Sequence, residues 1–90
     1  PFADATNFTF NLTGAKLPDE LVIKIYTVAG RLIREMKVQR PELRFGFNSV
    51  SWDGRDADGS ELANGVYFYK IMMQVDDKTE EVIQKLAKIR

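Results

Sequence analysis

An antiparallel β-sandwich, all-β and assembled from short half-buried strands, is the fold this sequence predicts. Three observations carry that expectation. Three segments alternate apolar and polar residues with a period of two, the signature of a strand with one face covered. Clusters of Gly, Pro, Asn and Asp separate them, supplying turn chemistry rather than helix continuation. The chain has 90 residues, enough for one domain over 1–90 and too few for two.

Taken in order, the first strand is expected over Asn7–Leu12, with Phe8, Phe10 and Leu12 on one side and Asn7, Thr9 and Asn11 on the other. Gly14 and Pro18 punctuate the loop after it. The second is expected over Glu20–Tyr26, where Leu21, Ile23 and Ile25 share a face. A shorter strand, Phe47–Asp53 with Val50 and Trp52 inward, follows a loop containing Pro41 and Arg44–Phe47. The longest alternation, Val66–Val75, sets Tyr67, Tyr69, Ile71, Met73 and Val75 against Phe68, Lys70, Met72 and Gln74. Asp76-Asp77 then reads as a hairpin turn, although it lacks the favoured glycine. Between Asp53 and Gly65 the aspartates suit Asx turns, and the glycines suit positive φ.

Two segments resist the alternation. Arg31–Val38 places its apolar residues at 32, 33, 36 and 38, and Glu80–Arg90 at 82, 83, 86, 87 and 89. Such spacings fit an amphipathic helix better than a strand. The residues alone leave both segments open, with helix slightly ahead at the C-terminal one.

Composition excludes several function classes. Thirteen basic and thirteen acidic residues cancel, so neither counterion release from nucleic acid nor attraction to anionic lipid is expected. There is no cysteine, hence no disulfide and no thiolate metal site. No apolar run approaches the ~20 residues of a membrane-spanning helix. The chain opens on Pro1-Phe2 without methionine, so it is expected to be a C-terminal fragment of a larger protein whose targeting signal lies elsewhere.

No catalytic residue is expected either. With no histidine or cysteine, the common nucleophile–base arrangements are unavailable. The carboxylates lie on loops and strand exteriors among lysines and arginines, where they read as solvated charge. Asp53, Asp56, Asp58 and Glu61 invite comparison with a calcium loop. Taking Gly59 as the loop's sixth position, however, puts Gly54 at the first and Gly65 at the twelfth, where acids are required. Turn capping is the simpler reading, and neither metal nor cofactor is expected. Asn7-Phe8-Thr9 and Asn11-Leu12-Thr13 match the glycosylation pattern, a short motif that arises by chance. Trp52, Tyr67 and Tyr69 read as core rather than as a stacking platform. Phe45, Phe47 and Phe68 suggest, weakly, carbohydrate binding.

The residues assembled so far resemble a known family. Ile25-Tyr26-Thr27-Val28-Ala29-Gly30-Arg31-Leu32-Ile33-Arg34, Val50-Ser51-Trp52-Asp53-Gly54-Arg55-Asp56-Ala57-Asp58-Gly59 and Leu62-Ala63-Asn64-Gly65-Val66-Tyr67-Phe68-Tyr69-Lys70 look like the immunoglobulin-like domain of flagellar hook-capping proteins. The same domain type recurs as the C-terminal sorting domain of type IX secretion cargo in Bacteroidetes-like bacteria. Pro1-Phe2 resembles the opening of such sorting domains, and Lys85-Leu86-Ala87-Lys88-Ile89-Arg90 their terminal lysine-plus-apolar strand. The pattern is also similar to the C-terminal domains of gingipain-like cysteine peptidases and of a related sortase, whose catalytic residues would lie upstream of this chain. Two departures stand out: Thr27 replaces the more usual aspartate before the Gly-Arg turn, and the loop from Gln39 to Gly46 is long.

The resemblance implies an immunoglobulin-like antiparallel sandwich of about seven strands, with both ambiguous segments as strands and a bulge reconciling their spacing. It implies a non-enzymatic domain that acts as a type IX sorting and outer-membrane translocation signal. Its partners would be the outer-membrane secretion machinery, a sortase and the upstream domains of the parent chain, with no nucleic acid and no membrane insertion. The protein would pass through the periplasm to the cell surface or the medium. Gly30, Arg31, Gly65, Tyr67, Lys85, Leu86 and Ile89 are the residues it assigns to partner recognition, and Trp52, Asp53, Gly54, Asp56 and Gly59 form its structural motif. The alternative is a structural immunoglobulin-like spacer or assembly module, as in hook-capping proteins.

Overall fold

The computed structural model describes residues 4–89; the expectations resting on Pro1-Phe2 and Arg90 lie outside the described residues. Among the described residues six strands follow one another: β1 Thr6–Leu12, β2 Glu20–Thr27, β3 Leu32–Gln39, β4 Gly46–Trp52, β5 Gly65–Val75 and β6 Lys78–Lys88. An isolated antiparallel bridge joins Arg55 to Glu61. A 3₁₀ turn over Arg40–Glu42 occupies the long loop before β4. All pairings are antiparallel, with β1 and β4 forming one sheet and β3-β2-β5-β6 the other. The two sheets pack face to face as an immunoglobulin-like sandwich.

The alternation in the sequence is the alternation of burial. Leu21, Ile23 and Ile25 on β2 are all fully buried at the centre of the larger sheet. Phe8, Leu12 and Trp52 meet them from the smaller sheet, with Ile33, Val38, Leu43, Tyr67 and Ile71 completing the core. Each aliphatic side chain so covered stabilises by roughly 1.5–3 kcal/mol relative to exposure. Phe8 links the sheets through aromatic contacts, its ring 5.9 Å from Trp52 and 4.7 Å from Tyr69.

β3 is a strand despite its helical spacing, and a bulge is the reason. Ile25 faces Arg34 and Tyr26 faces Leu32, so Ile33 is the extra residue on β3. An inserted residue switches the inward parity. Ile33 and Val38 are thus both buried although five positions apart.

β6 is also a strand, but without a bulge: its ladder to β5 runs unbroken from Gly65–Lys88 to Val75–Lys78. Its apolar residues do not share the core as the bulge reading required. Val82 and Ile83 stay 47% and 58% exposed. The cause is geometric. Two strands of seven residues cannot roof four strands, two of which run eleven residues, or about 36 Å.

Candidate functional site

Register gathers the candidate residues at one end of the sandwich. Thr27 pairs with Tyr67, Tyr67 with Leu86, and Gly65 with Lys88, which brings the Gly30-Arg31 turn, the start of β5 and the end of β6 together. Thr6 opposite Trp52 sets the Trp52–Gly59 loop at the same end of the smaller sheet.

The Gly30 turn closes β2 onto β3. Gly30 N–H donates to the Thr27 carbonyl at 2.9 Å, and Arg31 N–H to Thr27 Oγ1 at 3.1 Å. Gly30 has φ +92°, a conformation L side chains rarely adopt. The threonine at this position therefore serves the turn as an acceptor. Arg31, Lys85 and Ile89 are exposed, Leu86 is half-buried and Tyr67 is buried. The seven residues share an end of the fold but not a surface. Tyr67 is an anchor: its hydroxyl donates to the Ala63 carbonyl at 2.6 Å, tying the start of β5 to the incoming loop as tyrosine corners do in immunoglobulin-like domains.

The Trp52–Gly59 loop is held by a dense set of bonds. Trp52, 1% exposed, donates its indole N–H to the Arg55 carbonyl at 3.0 Å. Asp53 Oδ1 accepts from Arg55 N–H and from Arg34 Nη1, each at 3.0 Å, and the same Nη1 reaches the Arg55 carbonyl. Asp56 Oδ1 accepts from the amides of Asp58 and Ser60, both at 2.9 Å. The Arg55 guanidinium reaches the Gly59 carbonyl at 3.0 Å. Ala57 N–H donates to the carbonyl of the bulged Ile33 at 2.9 Å. Gly54 at φ +77° and Gly59 at φ +84° supply the required turns. The bond from Arg55 N–H, helped by the Arg34 charge, holds the Asp53 carboxyl below the ordinary aspartate value. These carboxylates are occupied by backbone amides, and no group of three acidic side chains converges among the described residues.

Two residues at this end escaped the sequence reading. Arg34 stands opposite Ile25, on the inward side of β3, and its guanidinium closes the Trp52 loop. Lys88, rather than Lys85, is the lysine that the fold encloses, being 2% exposed. Counting in twos from Leu86, which faces the buried Tyr67, places Lys88 on the core side.

At the opposite end, an open cleft of about 560 Å³ lies between the β1–β2 loop and the β5–β6 turn, lined by Leu12, Pro18, Met73 and Val75 among others. Lys16 pairs with Asp76 beside it at 2.8 Å. Asp76 occupies the hairpin turn at φ +54°. The Lys16 ammonium lowers its carboxyl from the ordinary value. Phe47, which is exposed, and Phe68, which is half-buried, form no single platform. Phe47 pairs with Asn11 on the outside of the smaller sheet, and Phe68 with Tyr26 on the outside of the larger one.

Two antiparallel sheets, an anchored tyrosine and a self-bonded loop define an immunoglobulin-like domain. The sequence matches the family described as the FlgD Ig-like domain over residues 2–78, and the chain belongs to that family. The match ends at the first residue of β6. The fold is similar to that of FlgD from P. aeruginosa, with a TM-score of 0.74 and 22% identity over 91% of this chain and 59% of that one. This chain thus spans about three-fifths of that structure's length. No curated protein matches the sequence.

Proposed function

We propose that this domain is a structural assembly module of the kind found in flagellar hook-capping proteins, orienting or stabilising the rest of its parent chain. The family match over residues 2–78 carries the reading. Its physical support is a loop system in which Asp53, Asp56, Arg34 and Arg55 are spent on one another and on backbone groups, which favours rigidity over chemistry. The test is a graft: the domain replaces its counterpart in a hook-capping protein and swimming is measured. Restored motility is expected. A folded, stably produced chimera that leaves cells immotile would count against the module.

A second reading is favoured by one observation. β6 lies almost wholly beyond the family match, and the exposed Lys85 near its end and Ile89 just after it belong to the segment that resembles a sorting-domain terminus. On this reading the domain is an export address, recognised by outer-membrane machinery and a sortase and carried to the cell surface. Fusion behind a fluorescent protein in a type IX host tests it: surface fluorescence lost on removing Lys85–Arg90 is the expected result, and periplasmic retention of the folded fusion would end the idea.

A further inference from the structure

β6 is an edge strand of the larger sheet, eleven residues long, with β5 on one side only. Edges of that length are normally blunted, because their free N–H and C=O groups template pairing with another chain. The other edge of the same sheet is treated in this way. β3 carries the Ile33 bulge, and the Trp52 loop bonds to it through Ala57 N–H. β6 has no bulge, and its middle exposes Val82 and Ile83.

The central charges of β6 complement those of a second copy of the same strand. Residues opposite each other in antiparallel strands share a face, so a two-fold axis through the sheet must pass through a residue position. With the axis at Ile83, residue 81 of one copy faces residue 85 of the other. Glu81 then meets Lys85 twice, on either side of an Ile83–Ile83 contact, all on the outer face where Lys70 and Phe68 also lie. Lys85 forms no ion pair among the described residues, and Glu81 has only a long 3.9 Å contact with Lys70. On the inner face the same register sets Val82 against Gln84 and Glu80 against Leu86, and at the strand ends it sets Lys78 against Lys88, a like-charged pair whose second member is enclosed in its own fold at 2% exposed. Opposite charges placed directly across a strand pair stabilise it, and like charges destabilise it.

We infer that β6 is a self-recognition edge: two copies of this chain pair antiparallel through it about Ile83, joining their four-stranded sheets into one of eight strands. The inference is independent of which function is proposed above.

Charge reversal tests both the contact and its register. Sedimentation equilibrium of the 90-residue chain, from about 10 μM to about 1 mM, should show a salt-sensitive monomer–dimer equilibrium. Glu81→Lys and Lys85→Glu each oppose like charges twice and should weaken dimerisation at least about tenfold. The double variant Glu81→Lys/Lys85→Glu restores both pairs and should recover wild-type association. On dilution of the wild-type chain, backbone amide NMR shifts should move along residues 80–87 and not along β3. This second readout needs no variant to fold. A wild-type monomer at 1 mM would overturn the proposal, as would a dimer indifferent to the single reversals, a double variant that stays monomeric, or dilution shifts centred elsewhere.

Discussion

Replacing Trp52 by alanine removes the largest fully buried side chain in the described fold, one that is 1% exposed and packed against Phe8. A buried tryptophan covers roughly 150–250 Å². At about 25 cal/mol per Å² its burial is worth ~4–6 kcal/mol as an upper bound. Truncations of large core aromatics cost about 3–5 kcal/mol, cavity included. The lost indole N–H adds little, because the Arg55 carbonyl it leaves keeps the bond from Arg34 Nη1. A domain of this size has a stability of about 5–13 kcal/mol, so Trp52→Ala should remove about a quarter of it or more. The corresponding fall in Tm is on the order of 15–30 °C. Trp52 is the only tryptophan, so its own fluorescence disappears with it, and urea unfolding should be followed by far-UV circular dichroism. Trp52→Phe keeps a ring against Phe8 and should cost about half as much or less. A loss below about 1 kcal/mol for Trp52→Ala would refute the packing of the two sheets across this residue.

The other predictions probe the same end of the fold. Tyr67→Phe removes the bond to the Ala63 carbonyl, which water can reach, and should cost about 1 kcal/mol in urea unfolding. Gly30→Ala meets no atom within 4 Å, yet should cost about 1 kcal/mol or slightly more because φ is +92°; an unchanged midpoint would mean the turn relaxes freely. Lys88→Ala should destabilise by at least about 2 kcal/mol while Lys85→Ala stays within about 0.5 kcal/mol, since one side chain is enclosed and the other solvated. Asp53 and Asp76 both have lowered pKa values in the fold. Their contribution is therefore complete above the unfolded value near pH 4 and is lost as pH falls through the folded values. Thermal melts should show declining Tm below about pH 4, and a smaller decline in Asp53→Asn.

How much of this was legible in the sequence depended on whether burial followed the pleat. On β1, β2 and β5 the core-facing residues recur every second position because one face meets the core, and β4 keeps that phase at Val50 and Trp52 with Asn48 inward and Phe47 outward; the expected strands lie within a residue or so of the observed ones. On β3 the Ile33 bulge adds one residue and turns a period of two into something helical. On β6 the smaller sheet does not extend over residues 79–83, so apolar spacing there carries no record of burial. The roles of Arg34 and Lys88 were hidden for a related reason. Each is a long cation at an inward-facing position near the sandwich end, where its aliphatic stem is covered while its head finds polar partners. Composition flags neither residue; strand parity flags both, once the register is fixed by Ile25 and Tyr67.

The central claim is that the domain works by being folded, as a rigid module. Its most direct test measures the motility of hook-capping chimeras carrying a graded series of variants, Lys85→Ala, Tyr67→Phe, Gly30→Ala and Trp52→Ala, against the urea stability of each isolated domain. The account predicts that motility follows the folded fraction alone, intact for Lys85→Ala and lost for Trp52→Ala at temperatures where that variant unfolds. Loss of motility in the fully folded Lys85→Ala chimera, or its retention in an unfolded Trp52→Ala chimera, would contradict it.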